Sequence, residues 1–202
     1  MTFKKSSMVS GGIFFVQFTT CLVKAIQKRG GNEEDIYNAL KSNSKLVDKF
    51  AELIVNTVKT VKENILHIVA GLSLNERIKK GKYDWTNSDI NDKNFPETVP
   101  ADYDAEYKLF HFNRSISSDD AIKEMEKEGY RPGNIHELLA LGEAKPELQK
   151  EFPVIAIGSV WQDPDGGRFV AVLDYGDSRR KLNLYWFDGV WGDEDRFLAV
   201  RK

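Results

Sequence analysis

The sequence predicts an α+β protein in which an irregular linker joins a helical N-terminal module to a second, strand-rich domain. Three observations carry that expectation. Apolar residues recur at three- and four-residue steps from Leu46 to Ile68, the period of a helix buried along one side. Between Gly81 and Ala105 that period stops, and Asp84, Asn87, Ser88, Asp89, Asn91, Asp92 and Asn94, with Pro96 and Pro100, make a polar, irregular stretch. Beyond Pro153, short apolar runs alternate with turns rich in Asp, Gly and Ser. The expected boundaries are a helical module over 1–80, a linker over 81–105 and a second domain over 106–202.

The chain has 202 residues, 41% of them hydrophobic and 30% charged, which excludes collagen-like, low-complexity and wholly disordered classes. Its longest apolar stretch, Ile13 to Ile26, is broken by Gln17, Thr19, Thr20 and Lys24. It falls short of the ~20 apolar residues that span a bilayer. Lys28 and Arg29 follow it where a secretion signal would need small residues, so the expectation is a cytoplasmic chain with no membrane partner. A single cysteine, Cys21, excludes an intrachain disulfide and a CxxC zinc site. The net charge of −2 conceals +6 over residues 1–80 and −8 over 81–202. The basic residues are scattered and lack interleaved aromatics, which disfavours nucleic acid as a partner.

Each element has a local reason. Gly12 to Arg29 reads as helix from Leu22 to Gln27, although Phe14, Phe15, Val16 and Phe18 would suit a strand. Asn32 before Glu33, Glu34 and Asp35 caps a short helix through Ile36, Tyr37 and Leu40. A long amphipathic helix then begins near Asn43 or Ser44 and carries Leu46, Phe50, Leu53, Ile54, Val58, Val61, Ile65 and Ile68. Such a stripe is core, or else a seam for self-association, because two or three helices alone make a thin core. Trp85 and Phe95 are expected to anchor the linker.

The second domain opens with a strand over Tyr107–Phe112. Ser117 with Asp120, and Asn134 with Glu137, cap two short helices, the first stopped by Gly129 and the second by Gly142. Val154–Trp161 reads as a strand buried on both faces. Further strands are expected over Arg168–Leu173, Lys181–Phe187 and Arg196–Arg201, separated by turns at 163–167, 175–178 and 188–189.

The segment Tyr130–Leu139, with Arg131-Pro132-Gly133-Asn134, resembles the entry to the second helix of C-type-lectin-like domains of the formylglycine-generating-enzyme type. Asp195–Arg201 resembles their closing strand, and Trp161, Trp186 and Trp191 match their wealth of tryptophan. Within that group, residues 158–202 look like the rewritten region of variable proteins from diversity-generating retroelements of phages and bacteria. The resemblance implies a C-type-lectin-like ligand-binding domain over 106–202, with Trp161, Trp186 and Trp191 as framework. The displayed set it implies is Tyr175, Asp177, Ser178, Tyr185, Asp188, Val190, Gly192, Asp193 and Asp195.

Without the family, turn tips rich in Asp, Gly, Tyr and Ser on a rigid sheet have the composition of binding loops and equally of ordinary hairpins. The expected function is non-enzymatic recognition of a macromolecule, most naturally a protein. The alternative is a structural or oligomerisation protein acting through its helical N-terminal half, where the local charge of +6 would allow association with nucleic acid. Formylglycine-generating chemistry would need cysteines that are absent after Cys21. Calcium is disfavoured because Asp188, Asp193, Glu194 and Asp195 fall short of 6–8 oxygen ligands. His67, His111 and His136 show no metal-ligand spacing, and no glycine-rich phosphate loop occurs, so neither a catalytic residue nor a cofactor is expected.

Overall fold

The computed structural model divides the chain into two compact units, 1–59 and 60–202. It describes residues 64–202 throughout, and before them Thr20, residues 23–32, Glu34, Asn38, Lys41, Lys45, Asp48, Lys49, Glu52, Leu53 and Val55. In the first unit, residues 23–27 are helical and the chain turns at Gly30, where φ is +84°. Leu46, Phe50, Ile54, Val58 and Val61 of the expected long helix, together with Ile36, Tyr37, Leu40 and Cys21, lie outside the described residues. Among the described residues no helix is long and apolar enough to cross a membrane.

The second unit is built on an eight-stranded mixed sheet. In chain order the large-sheet strands are β1 (Ile65–Ile68), β2 (Trp85–Thr86), β3 (Tyr103–Phe110), β5 (Tyr130–Pro132), β6 (Val154–Gln162), β7 (Arg168–Gly176), β8 (Arg179–Trp186) and β10 (Arg196–Arg201). Their order across the sheet is β1-β3-β10-β6-β7-β8-β2, with β5 also on β10. Two short strands, β4 (Ile116–Ser117) and β9 (Val190–Trp191), pair separately. Three helices follow β1: α1 (Leu74–Gly81), α2 (Ser118–Lys127) and α3 (Ile135–Ala144).

Period-two alternation gives the sheet two apolar faces. Val154, Ala156, Ala171, Leu173, Leu182, Leu198 and Val200 pack with Leu74 of α1 and with Ile135, Leu138, Leu139 and Leu141 of α3. The residues between them, Ile155, Val170, Val172, Phe197 and Ala199, pack with Ala121 and Met125 of α2 and with Ile116 and Trp191 of the small sheet. Each face is thus closed by helices, and each fully buried Leu or Ile there contributes roughly 1.5–3 kcal/mol. Ser73 and Asn134 cap α1 and α3 through reciprocal bonds with Glu76 and Glu137, and Ser117 caps α2 by accepting from the Asp120 amide.

The edge of β10 is shared. Arg196 and Phe197 pair in parallel with the start of β6, whereas Ala199–Arg201 pair with β5. Where β6 leaves that edge, the Gly158 N–H donates to the Gly133 carbonyl at 2.9 Å. The backbones are so close that a Cβ on Gly158 would stand 2.5 Å from that oxygen. Ile157–Ser159 leave the β7 ladder, so the register jumps from Ala156↔Ala171 to Val160↔Val170.

Several expectations are corrected. Among the described residues the fold is mostly β, and the helices of the second unit come after strand β1; the expectation of a helical N-terminal module followed by a C-type-lectin-like domain is overturned. Ile65 and Ile68, expected at the end of the long helix, lie in β1, where Leu66 and Ile68 are buried and Ile65 and His67 exposed. Two isoleucines three apart fit the helical stripe, but the backbone there pairs with Tyr103–Glu106 and the true period is two. The unit boundary falls at 59/60, not at 80. The stretch 81–105 belongs to the second unit, because Ile90, Phe95 and Val99 are core residues, although Trp85 is exposed. Gly142 does not end α3, which runs on to Ala144; it instead leaves room for the Tyr83 ring, whose Oη would lie 2.1 Å from a Cβ there.

Gly158→Ala should destabilise the chain by about 1–3 kcal/mol, the range for forced overpacking, as read by urea denaturation. An unchanged midpoint would show that the Gly133–Gly158 approach is not a constraint.

Candidate binding surface

The register jump in β6 sets the surface. A shift of three residues is odd, so it reverses which residues of β6 face which way. Trp161 thereby pairs directly with Phe169, and Phe169 with Trp186. The three rings form a cross-strand ladder at the far end of β6, β7 and β8. The centroid spacings are 5.7 and 5.9 Å and the interplanar angles 36° and 40°. Trp186 is 59% exposed, while Trp161 and Phe169 are half-buried.

The loop after β2 walls one side. Asn87 follows β8 by donating its N–H to Leu182 O, and Ile90, Phe95 and Val99 seat the loop on the core beside Trp161. Its polar residues bond inward. Asn91 Oδ1 accepts from the Lys93 and Asn94 amides, Asn91 Nδ2 donates to Ser88 O, and Asn94 Nδ2 donates to Asp89 O. Opposite, Asp163 Oδ1 accepts from the Asp165 and Gly167 amides and Gln162 Nε2 donates to Gly166 O. Between these walls lies a cleft of about 660 Å³ lined by Asp89, Asn91, Lys93, Asn94, Trp161, Gln162, Asp163 and Pro164. The volume is in the range of small-ligand sites.

A second cleft, about 650 Å³, lies between residues 97–100 and Tyr103, Arg131, Asn134, His136 and Gly158. Behind its lining residues Tyr103, Arg131 and Asn134 lies the carboxylate of Glu137, which is 0% exposed. Oε1 accepts from Arg131 Nη2 (2.5 Å) and Tyr103 OH (3.0 Å), and Oε2 from Arg131 Nη1 (3.0 Å) and the Asn134 N–H (2.8 Å). The bonds from Glu137 hold the Arg131 guanidinium above its ordinary pKa. Burial, reinforced by Glu137, raises the Tyr103 phenol. Burial lowers the His136 pKa, and the neutral ring donates Nε2–H to the Glu97 carbonyl. Every lone pair directed at these donors is used, so this cluster is built to hold structure together.

The nine residues expected to be displayed are not gathered on one surface. Tyr175, Asp177 and Ser178 sit at the β7–β8 hairpin tip, and Asp188 and Val190 follow the other end of β8. At ~3.3 Å per residue, the eight residues of β8 put those groups roughly 26 Å apart. Asp177 and Ser178 have φ of +53° and +58°, and the Asp177 carboxyl is held down by Lys181 and Arg179. Asp188 pairs with Arg168, which lowers its pKa. Val190 is 75% exposed. Asp195 is buried, accepts from the Gly192 N–H at 2.8 Å, and has its carboxyl raised by burial; the Asp193 carbonyl accepts from His111 Nε2 at 2.7 Å. Tyr185 lies on the opposite face from the ladder and donates to Asp174 Oδ2 at 2.9 Å.

Of the framework tryptophans, Trp161 and Trp186 meet in the ladder. Trp191 is buried on the other face, edge-on to Phe197 at 5.8 Å, with its indole N–H on Ser118 Oγ. The residues that complete the surface, Asp89, Asn91, Lys93 and Asn94, were read from the sequence only as linker. Among the described residues no group of three or more His, Cys, Asp or Glu side chains could hold a metal ion. A scan of protein-family models and searches of curated proteins and of solved structures found no match for this chain.

Two expectations follow. Glu137→Gln would turn an amide donor towards an Arg131 N–H whichever way it is placed, because Arg131 bonds both carboxylate oxygens, and should cost about 2–4 kcal/mol in urea denaturation. Burial, then the Asp174 carboxylate beside it, push the Tyr185 phenol up to about 12. The folded state holds this proton more tightly than the unfolded chain. The contribution to stability is therefore intact below a pH of about 10 and is lost as pH rises towards 12. An ultraviolet tyrosinate titration of wild type minus Tyr185→Phe should show this late-titrating phenol.

Proposed function

We propose that this chain is a non-enzymatic recognition protein whose ligand lies across the Trp161–Phe169–Trp186 ladder and into the cleft beside it. The observation that carries the reading is the ladder itself: three aromatic rings aligned on one face, the last of them mostly in solvent. Large rings held by a rigid sheet give contact area at little conformational cost, the property of binding hot spots. Asn91, Asn94, Gln162 and Asp163 beside the ladder bond to their own turns and loops, and no nucleophile–base pair is formed there, which favours capture over chemistry. An elongated site of a cleft plus a ladder suits an extended macromolecule.

The test is isothermal titration calorimetry of the full chain with three extended probes: a proline-rich peptide, a cello-oligosaccharide and oligothymidylate. Saturable binding of one of them should be lost in the Trp161→Ala/Trp186→Ala variant, with its melting transition still cooperative. Failure of all three to bind, or equal binding by the variant, would reject the ladder as the reading surface.

A further inference from the structure

Resting on that reading of the ladder, we propose that its ligand is a basic, proline-rich peptide in the polyproline II conformation. Three features of the surface point to this class.

The first is spacing. The ring centroids step 5.7 Å from Trp161 to Phe169 and 5.9 Å from Phe169 to Trp186, so the ladder reaches across β6, β7 and β8 over a little more than ten ångströms, roughly two strand separations of ~4.8 Å. A polyproline II helix repeats every three residues with ~3.1 Å rise, or about 9.3 Å per turn. One turn of such a peptide laid across the strands, with prolines at positions i and i+3, therefore covers most of the ladder from Trp161 towards Trp186. Phe169 supports the turn between them.

The second is the state of the polar groups. Asn91 and the side-chain amide N–H groups of Asn94 and Gln162 bond to their own loops, and Asp163 holds its own turn. A glycan needs matched neutral donors and acceptors around each ring, and the side-chain amide donors of Asn91, Asn94 and Gln162 are already spent on their own loops. A polyproline helix has no internal hydrogen bonds and is already ordered before binding, so it needs little beyond apolar contact and an occasional donor to a carbonyl. The Trp161 indole N–H, which makes no hydrogen bond among the described residues, can supply one.

The third is charge. Asp89, Asp163 and Asp165 border the cleft and its turn against Lys93 alone, and Arg168 nearby is neutralised by Asp188. That rim repels phosphate, which argues against stacking of a single-stranded nucleic acid, and it attracts an arginine or lysine flanking the prolines.

The experiment uses the full-length chain and a ten-residue peptide with prolines at i and i+3 and a terminal arginine, titrated by calorimetry. Control peptides move one proline by one position, or replace arginine by glutamate. The proposal expects each control to weaken binding by about tenfold or more, and added salt to weaken only the arginine peptide. It expects Trp186→Ala to abolish binding while the melting temperature stays near wild type, since Trp186 is mostly exposed. Equal affinity for the shifted-proline peptide overturns the proposal. So does binding of the cello-oligosaccharide or oligothymidylate without the peptide; if that binding is lost in the ladder variant, the recognition reading survives and only the ligand class falls. If no probe binds, both fail.

Discussion

The buried carboxylate of Glu137 is the constraint on which the rest of the second unit turns. It gathers donors from β3, β5 and the start of α3, and a carboxylate taken fully out of water is tolerable only with that many bonds. By fixing Arg131 it fixes Pro132-Gly133-Asn134. Gly133 then takes the N–H of Gly158, and the Ile135 N–H, left without a partner at the head of α3, finds Ser159 Oγ at 3.0 Å. Gly158 and Ser159 are thus withdrawn from the β7 ladder, and β6 has to resume three residues out of step. Trp161 arrives on the same face as Phe169 because of a carboxylate in the first turn of α3.

That chain of causes also explains why the two halves of β6 are so different. Before the bulge, Val154, Ile155 and Ala156 are buried on both faces, with helices above and below. After it, α3 has been left behind and only the loop of residues 87–100 covers the face, seated by Ile90, Phe95 and Val99. The loop stops at Trp161. Phe169 and Trp186 continue the face as the next two rings of the ladder, half-buried and mostly exposed respectively. Leaving a tryptophan 59% exposed forgoes much of the stabilisation its burial would bring, and the edge contacts of a tilted ladder return about 0.5–1.5 kcal/mol per pair.

What was legible in the sequence was local. The ends of β10, the caps at Ser117 and Asn134 and the turn at 163–167 follow from residues adjacent in the chain. What was hidden depended on distant partners. Ile65 and Ile68 fit the helical stripe until β3 is there to pair with them. The apolar run Val154–Trp161 cannot disclose a three-residue slip, because every residue in it is acceptable on either face. Glu137 looks like an ordinary exposed capping glutamate until Arg131 and Tyr103 close over it. The asparagines of 87–94 look like a solvated linker, yet their side chains bond to the neighbouring backbone, so the loop is polar and ordered at once.

The same distinction decides where recognition should be sought. Aspartate, serine and glycine at the turn tips have sufficient backbone reasons to be there. Asp177 and Ser178 occupy the positive-φ positions of a tight hairpin, Asp195 ties down the Gly192 amide, and Asp188 clamps Arg168 over the Phe187 ring. Residue types that a turn demands carry no information about a ligand. Trp161, Phe169 and Trp186 are demanded by nothing in the backbone, since any β-branched residue would serve the strands as well and would leave less apolar surface in water. A fold that aligns three rings at the rim of its core, and covers the first while leaving the last open, has retained apolar surface that its own packing does not use.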